Sequence, residues 1–171
     1  MDEVQLLDHD PAWPERFETE TRLIREWLPA GMILALDHIG STAIPGMPAK
    51  PIIDILLTVP SLDTARRIAV PILTAHDYLF WAENPRTDRL FFVKGLPPRG
   101  PARTHHIHVT KPGGEARQKL AFRDHLRAHA ADAARYAALK HALARTHQAD
   151  REAYTDAKST FVADILARPA H

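Results

Sequence analysis

Asp37-His38-Ile39-Gly40-Ser41-Thr42, followed by Ile52-Ile53-Asp54-Ile55-Leu56-Leu57, is the stretch on which the reading of this chain turns. An apolar strand breaks at Gly40-Ser41, turns through Pro45-Gly46-Met47-Pro48, and resumes as a second strand carrying one acid. The nearly continuous apolar run of that second strand predicts burial on both faces of a sheet. A lone carboxylate among Ile and Leu is costly unless it is paired, hydrogen-bonded or bound to a cation. Asp54 therefore reads as a functional acid. The alternative is a buried acid tied to backbone amides or to an arginine such as Arg89. Gly40 at the strand end lets backbone N–H groups approach a phosphate, and the Ser41 and Thr42 hydroxyls can add hydrogen bonds. A tight turn with a helix cap is the other reading of that triplet. Lys50 reads either as a phosphate counter-charge or as a solvated turn lysine.

Working outward, Pro11 and Pro14 suit a helix start, since first-turn N–H groups have no intrahelical acceptor. Trp13, Phe17, Ile24 and Leu28 recur at helical spacing as far as Pro29-Ala30-Gly31. Residues 33–39 and 52–59 read as strands, and Pro60-Ser61-Leu62-Asp63 as a turn with a helix cap that opens a helix to about residue 74. Tyr78–Trp81 and Leu90–Val93 read as strands joined by a polar loop, and Leu96–Pro101 as a loop. His105–Thr110 is a final strand. From about Glu115 the chain is rich in Ala, Leu, Arg and Lys and predicts two or three helices to about Ala167. Sheet first and helices last argues an α+β fold with a mixed sheet. We read residues 1–171 as a single domain, with residues 1–111 the sheet core and 112–171 a C-terminal helical segment.

A formal net charge of +1 provides no electrostatic case for non-specific binding to nucleic acid or membrane. The absence of cysteine excludes disulfides and thiolate metal sites and suits a reducing cytoplasm. No secretory signal is visible over residues 1–20, and no apolar run reaches the length of a membrane span. A cytoplasmic protein is expected, and the oligomeric state is not readable.

His106 and His108 are two apart on a predicted strand and project from one face, with His105 on the other. Such a pair can chelate one transition metal or donate to one phosphate, and equally can be structural. His38 is a candidate third imidazole. On the helices, Arg123 with Arg127, Tyr136 with Lys140, and Tyr154 with Lys158 share i,i+4 spacing. Arg and Lys on helices can clamp phosphates and Tyr can stack on a base, but each pair also fits a plain helix face. The remaining histidines, His9, His76, His125, His129, His141, His147 and His171, read as surface or packing residues. A Ser-His-Asp hydrolase on Ser41 lacks the Gly-x-Ser-x-Gly elbow, and no Walker loop or Rossmann fingerprint is present.

Several blocks together resemble the GrpB family. They are His9–Pro14, His38–Gly46, Lys50–Ile55, His106–Val109, Phe122–Arg127, Tyr136 with Lys140, and Tyr154 with Lys158. The resemblance runs from about residue 4 to 166. It implies a nucleotidyltransferase-like fold, a mixed β-sheet with flanking helices, in a bacterial family in which similar domains occur fused to dephospho-coenzyme A kinase. In that wider superfamily Gly-Ser opens a phosphate-binding turn, and an acid-x-acid pair with a third acid on a neighbouring strand binds two Mg²⁺ ions. Here Gly40-Ser41 matches the turn and Asp54 the first acid. Leu56 stands at the second acid position, and His106 or His108 at the third. Imidazole is a poor Mg²⁺ ligand and a good one for zinc or nickel, which puts two-metal transfer in doubt.

The leading expectation is a protein that binds a nucleotide or other phosphorylated small molecule, with metal-dependent nucleotidyl transfer as its conceivable chemistry. Asp54, His106 and His108 are the candidate catalytic residues. Gly40, Ser41, Thr42, Lys50, Arg123, Tyr154 and Lys158 are candidates for the phosphate or nucleotide. Asp54, His38, His106 and His108 are candidates for a divalent metal, Mg²⁺ or a transition metal such as Zn²⁺ or Ni²⁺. The alternatives are a His/Asp transition-metal hydrolase and a non-catalytic binding or accessory domain.

Overall fold

The computed structural model describes residues 5–169, so the readings that fall on residues 1–4 and on His171 lie outside the described residues. Helix α1 spans Trp13–Trp27 with Pro14 in its first turn, and buries Trp13, Phe17 and Ile24 at the predicted spacing. Strands β1 (Ala35–Ile39) and β2 (Ile53–Thr58) flank the Gly-Ser turn. Helix α2 (Leu62–Ala75) starts where the Ser61 side chain accepts from the Thr64 amide. Strands β3 (Tyr78–Phe80), β4 (Arg89–Lys94) and β5 (His105–Thr110) complete the sheet, and helices α3 (Gly114–Ala128), α4 (Ala130–Thr146) and α5 (Arg151–Ala167) end the chain. Among the described residues no helix is long and apolar enough to cross a membrane.

The sheet order is β1-β2-β5-β4-β3, with β2 and β5 parallel and every other pair antiparallel. This is the mixed sheet of an α+β fold. Because β2 has a partner on both sides and helices over both faces, Ile53, Ile55, Leu56 and Leu57 are all buried, which explains its nearly unbroken apolar run. Ile53, Ile55 and Leu57 point with Phe92, Ile107 and Val109 into a core closed by α1 and α2. Buried Glu20 of α1 is satisfied there by Tyr78 Oη and Lys94 Nζ, at 2.7 and 2.8 Å. Burial pushes its carboxyl up, but those two donors and the nearby His105 outweigh it and hold the pKa below the usual value.

The opposite face carries Asp54, Leu56, His106 and His108, because in the parallel register Asp54 pairs with His106 and Leu56 with His108. Leu56 packs there with Ile39 of β1 and Ala116 of α3. The C-terminal helices dock on the Gly-Ser turn through Ile44, Met47, Leu126 and Tyr136. That docking carries the polar residues of α4 and α5 to the same end of the sheet as Asp54.

Candidate functional site

Asp54 lies near the start of β2, and β5 runs beside it in parallel. His106 and His108 therefore come to it from one neighbouring strand. His106 Nδ1 lies 3.1 Å and His108 Nε2 3.2 Å from the same oxygen, Asp54 Oδ1. The Asp54 side chain is 26% exposed, so the acid can be reached from outside. Burial raises its pKa, but the hydrogen bonds and charge of the two imidazoles prevail and keep it well below the usual carboxylate range. Burial pushes His108 down to about 4 against the pull of Asp54, so this ring is neutral near pH 7. Arg89 does not reach Asp54. Its NH1 lies 3.4 Å from His108 Nδ1 and 3.2 Å from Glu115 Oε1, so the expected tie to an arginine is instead a tie to two imidazoles.

Gly40 has φ +74°, and a Cβ built there would stand 2.7 Å from Asp54 Oδ2. The turn thus needs glycine both for its backbone and for the close approach of the acid. Gly40→Ala should lower stability by about 2 kcal/mol and swing the carboxylate out of place. Urea unfolding that matches the parent protein would overturn this account.

The structure sorts the other candidates. His38 is not part of the Asp54 cluster. Antiparallel pairing sets it opposite Ile55, so it faces α1, where it stacks on Phe17 at 4.7 Å and its Nε2 meets Thr42 Oγ1 at 2.8 Å. Thr42 is buried, with its hydroxyl taken up by His38 and the Ile52 carbonyl. It latches the turn and is not open to a ligand. Arg123 donates to the His38 carbonyl and pairs with Asp124. Arg127 donates to the Ala43 carbonyl. These two arginines tether α3 to the turn, and neither guanidinium faces the site as a free phosphate clamp. Ser41 is half-buried and hydrogen-bonds to Tyr136.

Lys50, Tyr154 and Lys158 do come together. The ammonium groups of Lys50 and Lys158 lie 5.0 and 4.6 Å from the centre of the Tyr154 ring. Burial pushes Lys50 down to about 7, Lys158 and Arg151 repel it further, and Asp54 opposes. Burial pushes Lys158 down to about 8, again opposed by Asp54. Lys140, only 1% exposed, donates to the Pro48 carbonyl beside Tyr136, and burial with repulsion from Lys158 and Lys50 brings it to about 7. The Tyr154 hydroxyl is buried with no hydrogen-bond partner among the described residues. Sequence reasoning put Tyr136 and Lys140 at one spacing but did not count Lys140 in the site, because only the docking of α4 brings it to Pro48. Arg103, with NH1 3.5 Å from His106 Nε2, carried no signal at all. Two shallow apolar hollows of about 310 Å³ lie elsewhere, and neither is lined by Asp54 or these lysines.

The donor set can be tested against a metal. One oxygen of Asp54 and one nitrogen from each of His106 and His108 lie within 4.8 Å of one another, the spacing a single ion requires. Mg²⁺ does not fit, because imidazole is a poor ligand for it and the second acid position is Leu56, fully buried in an apolar cluster. Zn²⁺ or Ni²⁺ would suit the donor types. Ligating His106 Nδ1 and His108 Nε2 would, however, force hydrogens onto the far nitrogens, which then need acceptors. Those nitrogens face Arg103 and Arg89, and guanidinium only donates. The surroundings therefore do not fit a metal.

Comparison with known proteins agrees with the fold. The crystal structure of a conserved protein GrpB from Enterococcus faecalis superposes with a TM-score of 0.82 at 32% identity, covering 95% of this chain and 94% of that one. A UPF0157 protein of Pseudomonas aeruginosa is 52% identical over 167 residues, covering 98% of this chain and 68% of that protein. A dephospho-CoA kinase of Mycolicibacterium paratuberculosis is 30% identical over 188 residues, and this chain spans 46% of its length. Residues 3–168 match the family described as GrpB protein. The chain belongs to the GrpB family.

Proposed function

We propose that this GrpB-family chain binds a phosphorylated small molecule, with a nucleotide the leading class, between the Gly40-Ser41 turn, Asp54 and the Lys50–Tyr154–Lys158 group. One observation carries this reading. Two lysine ammonium groups stack on one tyrosine ring in a part-buried corner where the Asp54 carboxylate favours their charge. Like charges held together out of water are unfavourable until an anion joins them. The Tyr154 hydroxyl, without a hydrogen-bond partner among the described residues, adds a donor for the same anion. The nucleotidyltransferase-like reading rests on the Gly-Ser turn and the acid that follows it. Two-metal transfer finds no support, because Leu56 occupies the second acid position. Binding is accordingly the proposed activity. A transition-metal hydrolase has the ligand spacing in its favour and the arginines behind both imidazoles against it.

An arriving phosphate restores protons to lysines that burial has discharged, so binding should take up protons. Near pH 8, calorimetry with ATP in EDTA, repeated in buffers of different ionisation enthalpy, should show uptake of about one proton. Binding without proton uptake, or no binding by any nucleotide or sugar phosphate, removes this reading.

A further inference from the structure

Arginine carries hydrogens on every nitrogen and accepts none, so an imidazole nitrogen that faces it holds its lone pair inward toward that guanidinium. Arg89 NH1 faces His108 Nδ1, and its guanidinium is held in place by Glu115 and by the Phe91 ring at 5.3 Å. Arg103 NH1 faces His106 Nε2. The ring hydrogens on the inner side therefore sit on His108 Nε2 and His106 Nδ1, and both are aimed at Asp54 Oδ1. That oxygen is saturated by two charge-assisted bonds. Oδ2 takes neither of these bonds, and it faces the spot where any residue but glycine at position 40 would put its Cβ.

A carboxylate in a phosphate site is itself a problem. Two like charges about 4 Å apart repel by roughly 4 kcal/mol near a protein surface. A metal ion would relieve this, but the ring nitrogens that face Asp54 carry hydrogens and offer it no lone pair. What remains is a hydrogen-bond donor carried by the ligand. We infer that Asp54 Oδ2 holds a hydroxyl of the ligand, so that the site takes a hydroxyl-bearing phosphate ester such as a ribose or other sugar phosphate, without a metal ion. This rests on the phosphate reading above.

The test is nuclear magnetic resonance on the full chain in EDTA, with ribose 5-phosphate and methyl phosphate as probes. Long-range proton–nitrogen spectra should show His106 as the Nδ1–H tautomer and His108 as the Nε2–H tautomer. Ribose 5-phosphate should bind at least tenfold more tightly than methyl phosphate, and Asp54→Ala should erase that preference while leaving methyl phosphate bound as well or better. The reverse tautomers, stoichiometric uptake of added Zn²⁺ on both rings, or equal binding of the two esters would overturn this inference alone. If neither ester binds and Lys158→Met changes nothing, the phosphate reading falls and takes this inference with it.

Discussion

Leu56→Asp should destabilise the protein by about 4 kcal/mol or more, rather than recreate a two-metal site. The substitution restores the acid-x-acid spacing on paper. In the fold, residue 56 lies on a central strand with both neighbours paired, and its side chain is wholly buried against Ile39 and Ala116. The change removes an isobutyl group from that cluster and leaves a carboxyl with no donor built to receive it. Burial raises the pKa of such an acid above its unfolded value, so the penalty grows as the pH rises above about 4 and is relieved in acid. Urea unfolding at pH 7 and pH 4 reads both the size and the sign. A variant as stable as the parent that takes up two Mg²⁺ ions would show that the leucine had merely replaced a metal ligand.

Lys158→Met should weaken binding of a phosphate ester by about 30-fold in EDTA, the loss of one charge-assisted contact. Methionine keeps an unbranched stem over the Tyr154 ring and removes only the ammonium. Stability should move the other way. In the free protein burial lowers the Lys158 pKa from 10.5 to about 8, so between those values the unfolded chain holds more protons and stability rises with pH. The methionine variant lacks that burden and should unfold at a higher temperature than the parent at pH 7. Lys111→Met, an exposed change of the same charge, is the control and should alter neither quantity. Affinity within twofold of the parent would sink the role assigned to Lys158.

Much of the fold was legible because its signals are local. The Gly-Ser break, the capped turn at residues 60–63, the period of α1 and the apolar run of β2 each express backbone geometry or a neighbour within a few residues. The same locality put His106 and His108 on one face of β5, since strand alternation needs no knowledge of what lies opposite. Strand order is where locality ends. Whether β5 would lie beside β2, and in which register, set the meeting of Asp54 with both imidazoles.

His38 marks the limit of sequence reasoning. Only the antiparallel register with β1 shows that it pairs with Ile55 and turns away from Asp54. Thr42 and Arg123 likewise look like phosphate ligands by type, yet their donors are spent on holding the turn to its neighbours. The sequence by itself determined the α+β class, the turn, the acid and the histidine pair, because propensity and alternation act over a few residues. Only the tertiary structure decided that two arginines cap the far sides of those imidazoles and that α4 and α5 bring Lys140 and Lys158 over the turn. Those are long-range contacts, and on the proposed reading they favour an anion over a metal ion.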